Sequence, residues 1–316
     1  MKTPDRPVIG VVHPGAMGAA VAACASPAAD RVLWASQGRS AATRRRAEAA
    51  GLHDVGDLAA MCRNAEIVLS VCPPDAAVDV ATTVAGSGYD GLFVDANAIA
   101  PATARHAAAI VEAAGARFVD GGIIGSVPKV AGRTRLYLSG PGSDAVAGLF
   151  EGSVLEAVVL REDAAVRPVG AASALKMTYA AYTKGRAALL LAIRAAAVAE
   201  GVDADLVAEW QRSGPTLADP GQRGRRPSAG TGSHLAALAS ECEAVAARGA
   251  PKAWRWSGEM TEIAATLEAA GLPGGFHEAA ADIYRRLRDL RDADAPPLDE
   301  VIAALLTDVR SESRRG

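Results

Sequence analysis

A glycine turn near the start of the chain is the first feature with the residue types for chemistry. The apolar run Val8 to Val12 leads into a turn that holds Gly15 and Gly18, and a helical stretch begins at Ala16. Glycines in such a turn let backbone amides approach a pyrophosphate at a helix N-terminus. Gly15 and Gly18 fill the second and third glycine positions of G-x-G-x-x-G, and His13 stands in the first. The turn therefore predicts a dinucleotide site formed by His13, Gly15, Ala16, Met17 and Gly18. A tight turn without a ligand is the alternative, and His13 is either a phosphate or ribose contact or only a turn residue.

The residues after the second apolar run indicate which dinucleotide binds. An NAD site usually has Asp or Glu there, accepting hydrogen bonds from the ribose 2′-hydroxyl. Here the run Val32 to Ala35 is followed by Ser36, Arg39 and Ser40, without a carboxylate. Arginine binds phosphate through two parallel hydrogen bonds, so these three residues predict a site for the 2′-phosphate of NADP. Alternatively the arginines form a solvated helix face, which suits those at 45–46 better than Arg39. The missing acidic residue also counts against an S-adenosylmethionine methyltransferase.

The elements that must position these residues follow from the apolar pattern of the first half. Short apolar runs alternate with helical stretches, among them Ala16 to Ala25 and Thr43 to Ala50, and with turns rich in Gly, Pro, Asn or Asp. Such alternation predicts βαβ units and a parallel sheet. The further strand candidates are Ile67 to Val71, Leu92 to Asp95, Phe118 to Asp120, Leu136 to Ser139 and Leu155 to Leu160. We therefore expect an α/β, doubly wound Rossmann-type domain over residues 1–168.

The pattern changes near Gly170. Ala171 to Glu200 contains no proline and a single glycine, which predicts one long helix that Gly201 ends. Further helices are expected at Leu206 to Arg212, Leu235 to Ala247, Ala253 to Ala270, Glu278 to Leu290 and Leu298 to Val309. Gly221 to Gly232 is rich in Gly, Arg, Ser and Pro, and is typical of a mobile loop. Residues 169–316 are therefore expected to form an all-α domain.

Composition narrows the class of protein. The 316 residues are 50% hydrophobic and 22% charged, with a net charge of −3, so no basic surface argues for nucleic acid. The four cysteines are scattered, which is typical of buried thiols in a reducing compartment and not of a disulfide framework or a metal site. Residues 1–7 are polar and short, and the apolar stretch Ala187 to Ala199 is too short to span a bilayer. We therefore expect a cytoplasmic protein with a small-molecule substrate.

Three motifs together resemble the β-hydroxyacid dehydrogenase family, which includes 6-phosphogluconate dehydrogenase and the imine reductases. The family's opening Gly-x-Met-Gly is similar to residues 15–18, its proline-rich turn to residues 71–74, and its strand aspartate followed by proline to Asp95 and Pro101. The layout of both halves is similar as well. The resemblance implies an NADP-dependent dehydrogenase or reductase, a homodimer formed through the helical domain, and residues beside the nicotinamide at Cys72, Pro73, Pro74 and Asn97.

The family also places a catalytic lysine on the long helix, a few residues after a glycine. Gly170 and Lys176 match that arrangement. The resemblance implies that Lys176 gives a proton to, or takes one from, a carbonyl oxygen as hydride is transferred at carbon. Tyr179, one helical turn further on, is either a helper of Lys176 or a core aromatic residue. A surface lysine on an amphipathic helix is the alternative for Lys176.

The chain departs from the family where the substrate carboxylate is bound. Asn97-Ala98 replaces the usual Ser-Thr, and Ile124 stands at the serine of the family's Ser-Gly-Gly. A simple hydroxy acid is therefore in doubt as substrate. Imine reduction and a non-catalytic nucleotide-binding role are the alternatives.

Tryptophans and a histidine in the helical half leave further alternatives open. Trp254 and Trp256 either line a substrate pocket, with Lys252, Arg255 or Glu259 as its polar groups, or pack domains or subunits together. His277 either lies beside the cleft or is a satisfied histidine at a helix start.

Overall fold

The computed structural model describes residues 6–212 and 237–307 and divides the chain into two compact units. Unit 1 consists of Met1–Tyr179 and Ala265–Leu272, and unit 2 of Ala180–Ala264 and Pro273–Gly316. The predicted division between residues 168 and 169 lies just before the long helix, whereas the two compact units divide within that helix.

Unit 1 is built on an eight-stranded sheet in which all neighbouring strands are parallel except one pair. The strands are β1 (Val8–Val11), β2 (Arg31–Trp34), β3 (His53–Asp54), β4 (Ile67–Ser70), β5 (Leu92–Asp95), β6 (Arg117–Gly125), β7 (Thr134–Ser139) and β8 (Leu155–Val159). Their order across the sheet is β3-β2-β1-β4-β5-β6-β7-β8, with β6 and β7 antiparallel. The first six strands have the order of a Rossmann fold, in which ligands bind where the strand order reverses, here beside β1 and β4. The predicted parallel sheet is thus confirmed.

Helices cover both faces of this sheet. They are α1 (Ala16–Ala25), α2 (Ala41–Ala49), α3 (Leu58–Asn64), α4 (Ala77–Gly86), α5 (Pro101–Ala113) and α6 (Ser143–Gly148). Successive strand side chains point to opposite faces, so Leu69 and Val94 belong to one buried cluster while Val68 and Phe93 belong to another. A short hairpin of β9 (Arg161–Glu162) and β10 (Ala165–Val166) precedes the long helix.

The long helix α7 runs over Ala171–Ala199, 29 residues, as the sequence predicted. At 1.5 Å per residue it is about 44 Å long. It ends at Gly201, which adopts the left-handed conformation (φ +73°) that glycine favours, and the Val202 amide bonds back to the Ala197 carbonyl at 2.9 Å. Its first nine residues belong to unit 1 and the rest to unit 2.

Unit 2 is helical throughout its described residues. Besides α7 it contains α8 (Asp203–Arg212), α9 (Leu238–Gly249), α10 (Ala253–Ala269), α11 (Gly275–Arg286) and α12 (Leu298–Leu306). The predicted helices are thus present within a few residues of their expected bounds, and the predicted loop Gly221 to Gly232 lies outside the described residues. In the part of the chain that the structure describes, we find no helix that combines the length and the apolarity needed to cross a bilayer.

Candidate cofactor and catalytic site

The turn between β1 and α1 has space for a side chain at one of its glycines and none at the other. A β-carbon built at Gly18 would lie 2.1 Å from the carbonyl oxygen of His13, so only glycine fits there. A β-carbon at Gly15 would meet no atom within 4 Å. No side chain caps the N-terminus of α1, and its first turn carries no acidic residue. The exposed backbone of this turn is therefore open to an anion at the positive end of the helix.

His13 and Arg39 carry buried polar atoms that fit a ligand at this turn. His13 Nδ1 and Arg39 Nε are both buried, and neither has a hydrogen-bond partner among the described residues. Burial and then the charge of Arg39 lower the pKa of His13 to about 4, so the ring is neutral at pH 7 and Arg39 lies close to it. Burial likewise lowers the pKa of Arg39. Buried donors without partners are costly, and a phosphate group would satisfy them. The residues present thus fit a dinucleotide.

A carboxylate from β3 lies at the end of β2, and the sequence did not predict it. Asp54, from β3, accepts hydrogen bonds from Ser36 and from the Gly56 amide (2.9 Å), and lies 3.9 Å from Arg44. Although burial raises the pKa of Asp54, these hydrogen bonds and the Arg44 charge hold it below its usual value. The Ser40 hydroxyl caps α2 by accepting the Thr43 amide at 3.2 Å. Ser36 and Ser40 are thus engaged within the protein, whereas Arg39 retains an unsatisfied donor.

Asn97 braces the strand ends predicted to face the nicotinamide. It is 2% exposed, and its Oδ1 accepts the Cys72 amide at 2.6 Å while its Nδ2 donates to Ser70 Oγ at 3.1 Å. Its own amide donates to Asp95 Oδ1 at 2.9 Å. Burial and Asp95 raise the pKa of the Cys72 thiol to about 12, so it is neutral. Asn97 therefore fixes the backbone at Cys72 through a hydrogen bond, and its side-chain amide is buried.

Lys176 lies over strand β6. A β-carbon built at Gly122 would come within 3.0 Å of Lys176 Cβ and 2.7 Å of the Ala172 carbonyl oxygen. The absence of a side chain at Gly122 thus lets α7 approach the strand closely. The lysine is half-buried and belongs to unit 1, as does Ile124, which stands at the serine position of the family's carboxylate clamp.

Comparison with known proteins agrees with this geometry. Residues 8–150 match the family model described as the NAD binding domain of 6-phosphogluconate dehydrogenase, and residues 231–287 match a domain of unknown function, DUF1932. Residues 8–150 are thus similar to the NAD binding domain of 6-phosphogluconate dehydrogenase.

Individual proteins also resemble the chain in sequence or structure. An uncharacterized 28.5 kDa protein of Methanothermus fervidus is 30% identical over 157 residues, a match that covers 50% of this chain and 58% of that relative. The Mycobacterium tuberculosis 3-hydroxyisobutyrate dehydrogenase is 18% identical, with a TM-score of 0.61 over 95% of this chain and 99% of that one. A conserved protein of unknown function, described as structurally similar to 3-hydroxyacid dehydrogenases, is 24% identical, with a TM-score of 0.58 over 90% of this chain and 97% of that one. The two structures show that the fold is shared.

Within unit 1, Tyr179 differs from one of its two predicted settings. Its side chain is 50% exposed, so it is not a core aromatic residue of the unit that contains the 6-phosphogluconate dehydrogenase-type domain. It follows Lys176 by one helical turn on α7.

Pro73 and Pro74 begin the turn after β4, with Pro73 exposed.

In unit 2, Trp256 packs over a largely buried ion pair. Lys184 and Glu259 form a salt bridge, with their side chains 18% and 6% exposed, and the Lys184 ammonium lies 5.4 Å from the Trp256 ring. Tyr284 meets Trp256 edge to face at 5.3 Å and donates its hydroxyl to the Lys184 carbonyl at 2.6 Å. This cluster packs α7, α10 and α11 together.

The other two residues that the sequence left open lie nearby in the same unit. Trp254 stacks under the Arg291 guanidinium at 4.0 Å. His277 is 7% exposed, and its Nε2 lies 3.2 Å from the Ala181 carbonyl oxygen. That contact ties α11 to α7. The His277 Nδ1 atom is buried without a hydrogen-bond partner among the described residues, so the ring is satisfied at one nitrogen only.

Proposed function

We propose that this protein is an NADP(H)-dependent oxidoreductase that transfers hydride to or from a carbonyl or hydroxyl substrate, with Lys176 as proton donor or acceptor. The observation that carries the proposal is the seat of Lys176 on Gly122, in the same unit as the NAD binding domain. Lys176 lies over β6, the strand next to β5. An ionisable side chain there supports the proposal, because proton transfer needs such a group beside the reacting atoms.

The chain's own groups perform the proton part of the reaction. When bound, the nicotinamide supplies or accepts the hydride. In the reducing direction Lys176 Nζ donates a proton to the substrate oxygen as that oxygen gains negative charge, and in the oxidising direction Nζ accepts the hydroxyl proton. Proton and hydride together reduce one carbonyl to one alcohol, so the atoms and charges balance. Ile124, two residues after Gly122 on β6, presents an apolar side chain to the same face of the strand.

Three features support NADP as the cofactor. No carboxylate follows β2 directly in the sequence, Asp54 is hydrogen-bonded and paired with Arg44, and Arg39 keeps a buried donor that has no partner among the described residues. A 2′-phosphate would give the Arg39 guanidinium an anionic hydrogen-bond partner.

Titration with NADPH and NADH tests the cofactor assignment. We expect NADPH to bind at least tenfold more tightly, and Arg39→Ala to remove most of that difference, about 1.4 kcal/mol or more. Arg45→Ala, which removes an exposed arginine from α2, is the matched control and should leave the preference intact. Equal affinity of the wild-type protein for both nucleotides would refute NADP specificity, and binding of neither would refute the cofactor class.

The substrate side favours a compound without a carboxylate. Ile124 occupies the position at which the family has its carboxylate-binding serine, and strand β6 continues through it. We therefore expect ketones or aldehydes without an acid group to be turned over faster than 3-hydroxy acids. Cyclic imines belong in the same panel, because the apolar strand suits imine reduction equally well.

Lys176 variants decide whether the protein is a catalyst of this kind. Lys176→Ala should lower kcat on the order of a hundredfold or more, within the range for loss of a general acid. Lys129→Ala, which removes an exposed lysine of unit 1, should not. NADPH binding without turnover of any substrate, or turnover that Lys176→Ala does not change, would favour the non-catalytic role or a different proton donor.

A further inference from the structure

The first turn of α7 is held by side chains from two strands. Asp120, on β6, is 1% exposed, and its Oδ2 accepts the amides of Gly170 at 2.9 Å and Ser173 at 3.1 Å. Its Oδ1 accepts the Ser173 hydroxyl at 2.6 Å. Ser139, on β7, donates its hydroxyl to Asp120 Oδ2 at 2.8 Å and accepts the Ala172 amide at 3.0 Å. Strand side chains thus satisfy the amides at which the helix begins.

Such an anchor is strong because a helix N-terminus has amides without intrahelical partners. The remaining amide, that of Ala171, bonds to the Pro168 carbonyl at 3.2 Å. A carboxylate at this end is also favoured by the helix dipole. Four donors point at Asp120, and an ionised carboxyl accepts from all of them because it has no proton of its own to donate.

The residue before the helix fixes the direction in which it leaves the sheet. Gly170 adopts φ +100°, a conformation that other residues rarely take, and a β-carbon there would lie 2.6 Å from Arg105 Nη1. The path of the chain into α7 is therefore determined on both sides of the Gly170 amide, by Asp120 and by packing against α5.

The same strand supplies the anchor and the seat of the lysine. Asp120 and Gly122 are two residues apart on β6, so they present to the same face of the sheet. Ser173, which Asp120 binds twice, precedes Lys176 by three residues, or one helical turn, and a β-carbon at Gly122 would touch Lys176 Cβ.

We propose that Asp120 is a positioning residue for Lys176: its carboxylate fixes the first turn of α7 against β6, and this sets where the lysine amine stands. Ser139 and Ser173 complete the anchor. The inference rests on the proposed role of Lys176 for its catalytic consequence, whereas the placement itself is measurable without turnover.

The first test therefore reads the lysine directly. The chain has five lysines, at positions 2, 129, 176, 184 and 252. Reductive methylation of the full-length protein with ¹³C-formaldehyde gives each accessible amine an NMR signal, and Lys176→Arg assigns that of Lys176. We expect Asp120→Asn and Ser173→Ala to shift or broaden the Lys176 signal while that of Lys129 stays in place. Ser143→Ala is the matched control, because Ser143 is equally buried but bonds to the Gly140 carbonyl at 2.7 Å.

The second test asks whether the anchor acts through the lysine. Ser173→Ala and Asp120→Asn should lower kcat on the order of tenfold to a hundredfold, as misplacement by about an ångström does, with the Kd for NADPH within about twofold of wild type. In the Lys176→Ala background neither should reduce kcat further. Ser173→Ala keeps the test valid if Asp120→Asn does not fold.

The outcomes separate this inference from the proposed function. An unshifted Lys176 signal in folded Ser173→Ala and Asp120→Asn, or equal losses of kcat in Ser143→Ala, would overturn the positioning role. A shifted signal together with turnover that is insensitive to Lys176→Ala would support the positioning role and refute the proton-transfer role of Lys176.

Discussion

Asp95 and Asp120 lie in register on the neighbouring strands β5 and β6, and each residue is only 1% exposed. Asp120 accepts four hydrogen bonds, whereas Asp95 Oδ2 is buried without a hydrogen-bond partner among the described residues. Burial, with a smaller contribution from Asp120, raises the pKa of Asp95 to about 7. Two adjacent buried carboxyls thus differ in their surroundings, because Asp120 has donors on both oxygens whereas Asp95 has a donor on Oδ1 only.

This pair predicts a stability that depends on pH. Since folding raises the Asp95 pKa, its favourable contribution is complete at low pH and is lost as pH rises towards 7. Asp95→Asn, which keeps the shape without the charge, should become the more stable protein by roughly 2–3 kcal/mol between pH 5 and 7, and the gap should level off above that. Urea unfolding across this range measures it. Asp79→Asn, at an exposed carboxylate of α4, is the control, and a gap that does not change with pH would contradict the protonation of Asp95.

The opposite pH dependence is expected from His13. Its pKa is lowered to about 4, first by burial and then by Arg39, so the folded protein holds a neutral ring. The stability it contributes is present above its ordinary pKa near 6.5 and is lost as pH falls through about 4. His13→Gln should therefore be less sensitive to acid between pH 6.5 and 4, by on the order of 1–3 kcal/mol in unfolding free energy. His106→Gln, at an exposed position on α5, should retain the wild-type profile, and identical profiles for all three proteins would argue against a buried, neutral His13.

Gly122→Ala tests how closely α7 sits on its strand. The added β-carbon would lie 2.7 Å from the Ala172 carbonyl oxygen, so helix or strand must move. We expect a destabilisation of about 1–3 kcal/mol and a lower kcat, seen in thermal unfolding and steady-state kinetics. Gly86→Ala, where a β-carbon meets nothing within 4 Å, is the control. Equal effects of the two substitutions would mean that the approach at Gly122 is not tight.

The buried pair Lys184–Glu259 should be costly to break on one side only. Glu259→Ala would leave the Lys184 ammonium, 18% exposed, without its carboxylate, and we expect a loss of about 3–5 kcal/mol. Replacing both residues by methionine should restore much of that loss. The exposed pair Arg31–Asp30, whose side chains are 55% and 61% exposed, serves as control and should contribute less than about 1 kcal/mol. Additive losses in a double-mutant cycle of Lys184 and Glu259 would show that the pair is not coupled.

The predicted homodimer has a candidate seam on α7. Tyr182 and Leu189 are 66% and 44% exposed and lie seven residues apart, hence on one face of the helix. Leu189→Asp should shift the protein towards monomer in light scattering, because a charge would be buried in the seam. Leu272→Asp, at another exposed leucine (54%), should not. A wild-type protein that is monomeric at micromolar concentration would contradict the dimer.

The fold could be predicted from the sequence wherever local signals agreed. Helix Ala16–Ala25 and strand Leu92–Asp95 have their predicted bounds, because alanine favours the first and a buried apolar run ending at Asp95 defines the second. Strand β6 is longer than predicted, Arg117–Gly125 instead of Phe118 to Asp120. Two glycines interrupt the pattern there, and close packing, of Gly121 against Asp95 and Ala96 and of Gly122 against α7, outweighs their low strand propensity.

The site was predictable only in part, for a related reason. The glycine turn and Arg39 each follow directly on a predicted strand and so carry a local signal, whereas Lys176 came from the family resemblance. Asp54 reaches the end of β2 through a two-residue strand that leaves no hydrophobic signature. The anchor of α7 joins Asp120 and Ser173 across 53 residues, and no local pattern reports such a pairing.

The two glycines of the turn between β1 and α1 differ in their steric surroundings. Gly18 is required by the protein's own backbone, whereas a β-carbon at Gly15 would meet no atom within 4 Å. We therefore expect Gly15→Val to leave the domain folded while it blocks the proposed dinucleotide site, which gives a folded counterpart of this protein without the proposed cofactor. Any cellular effect that survives in such a counterpart would belong to the polypeptide as a scaffold and not to its cofactor.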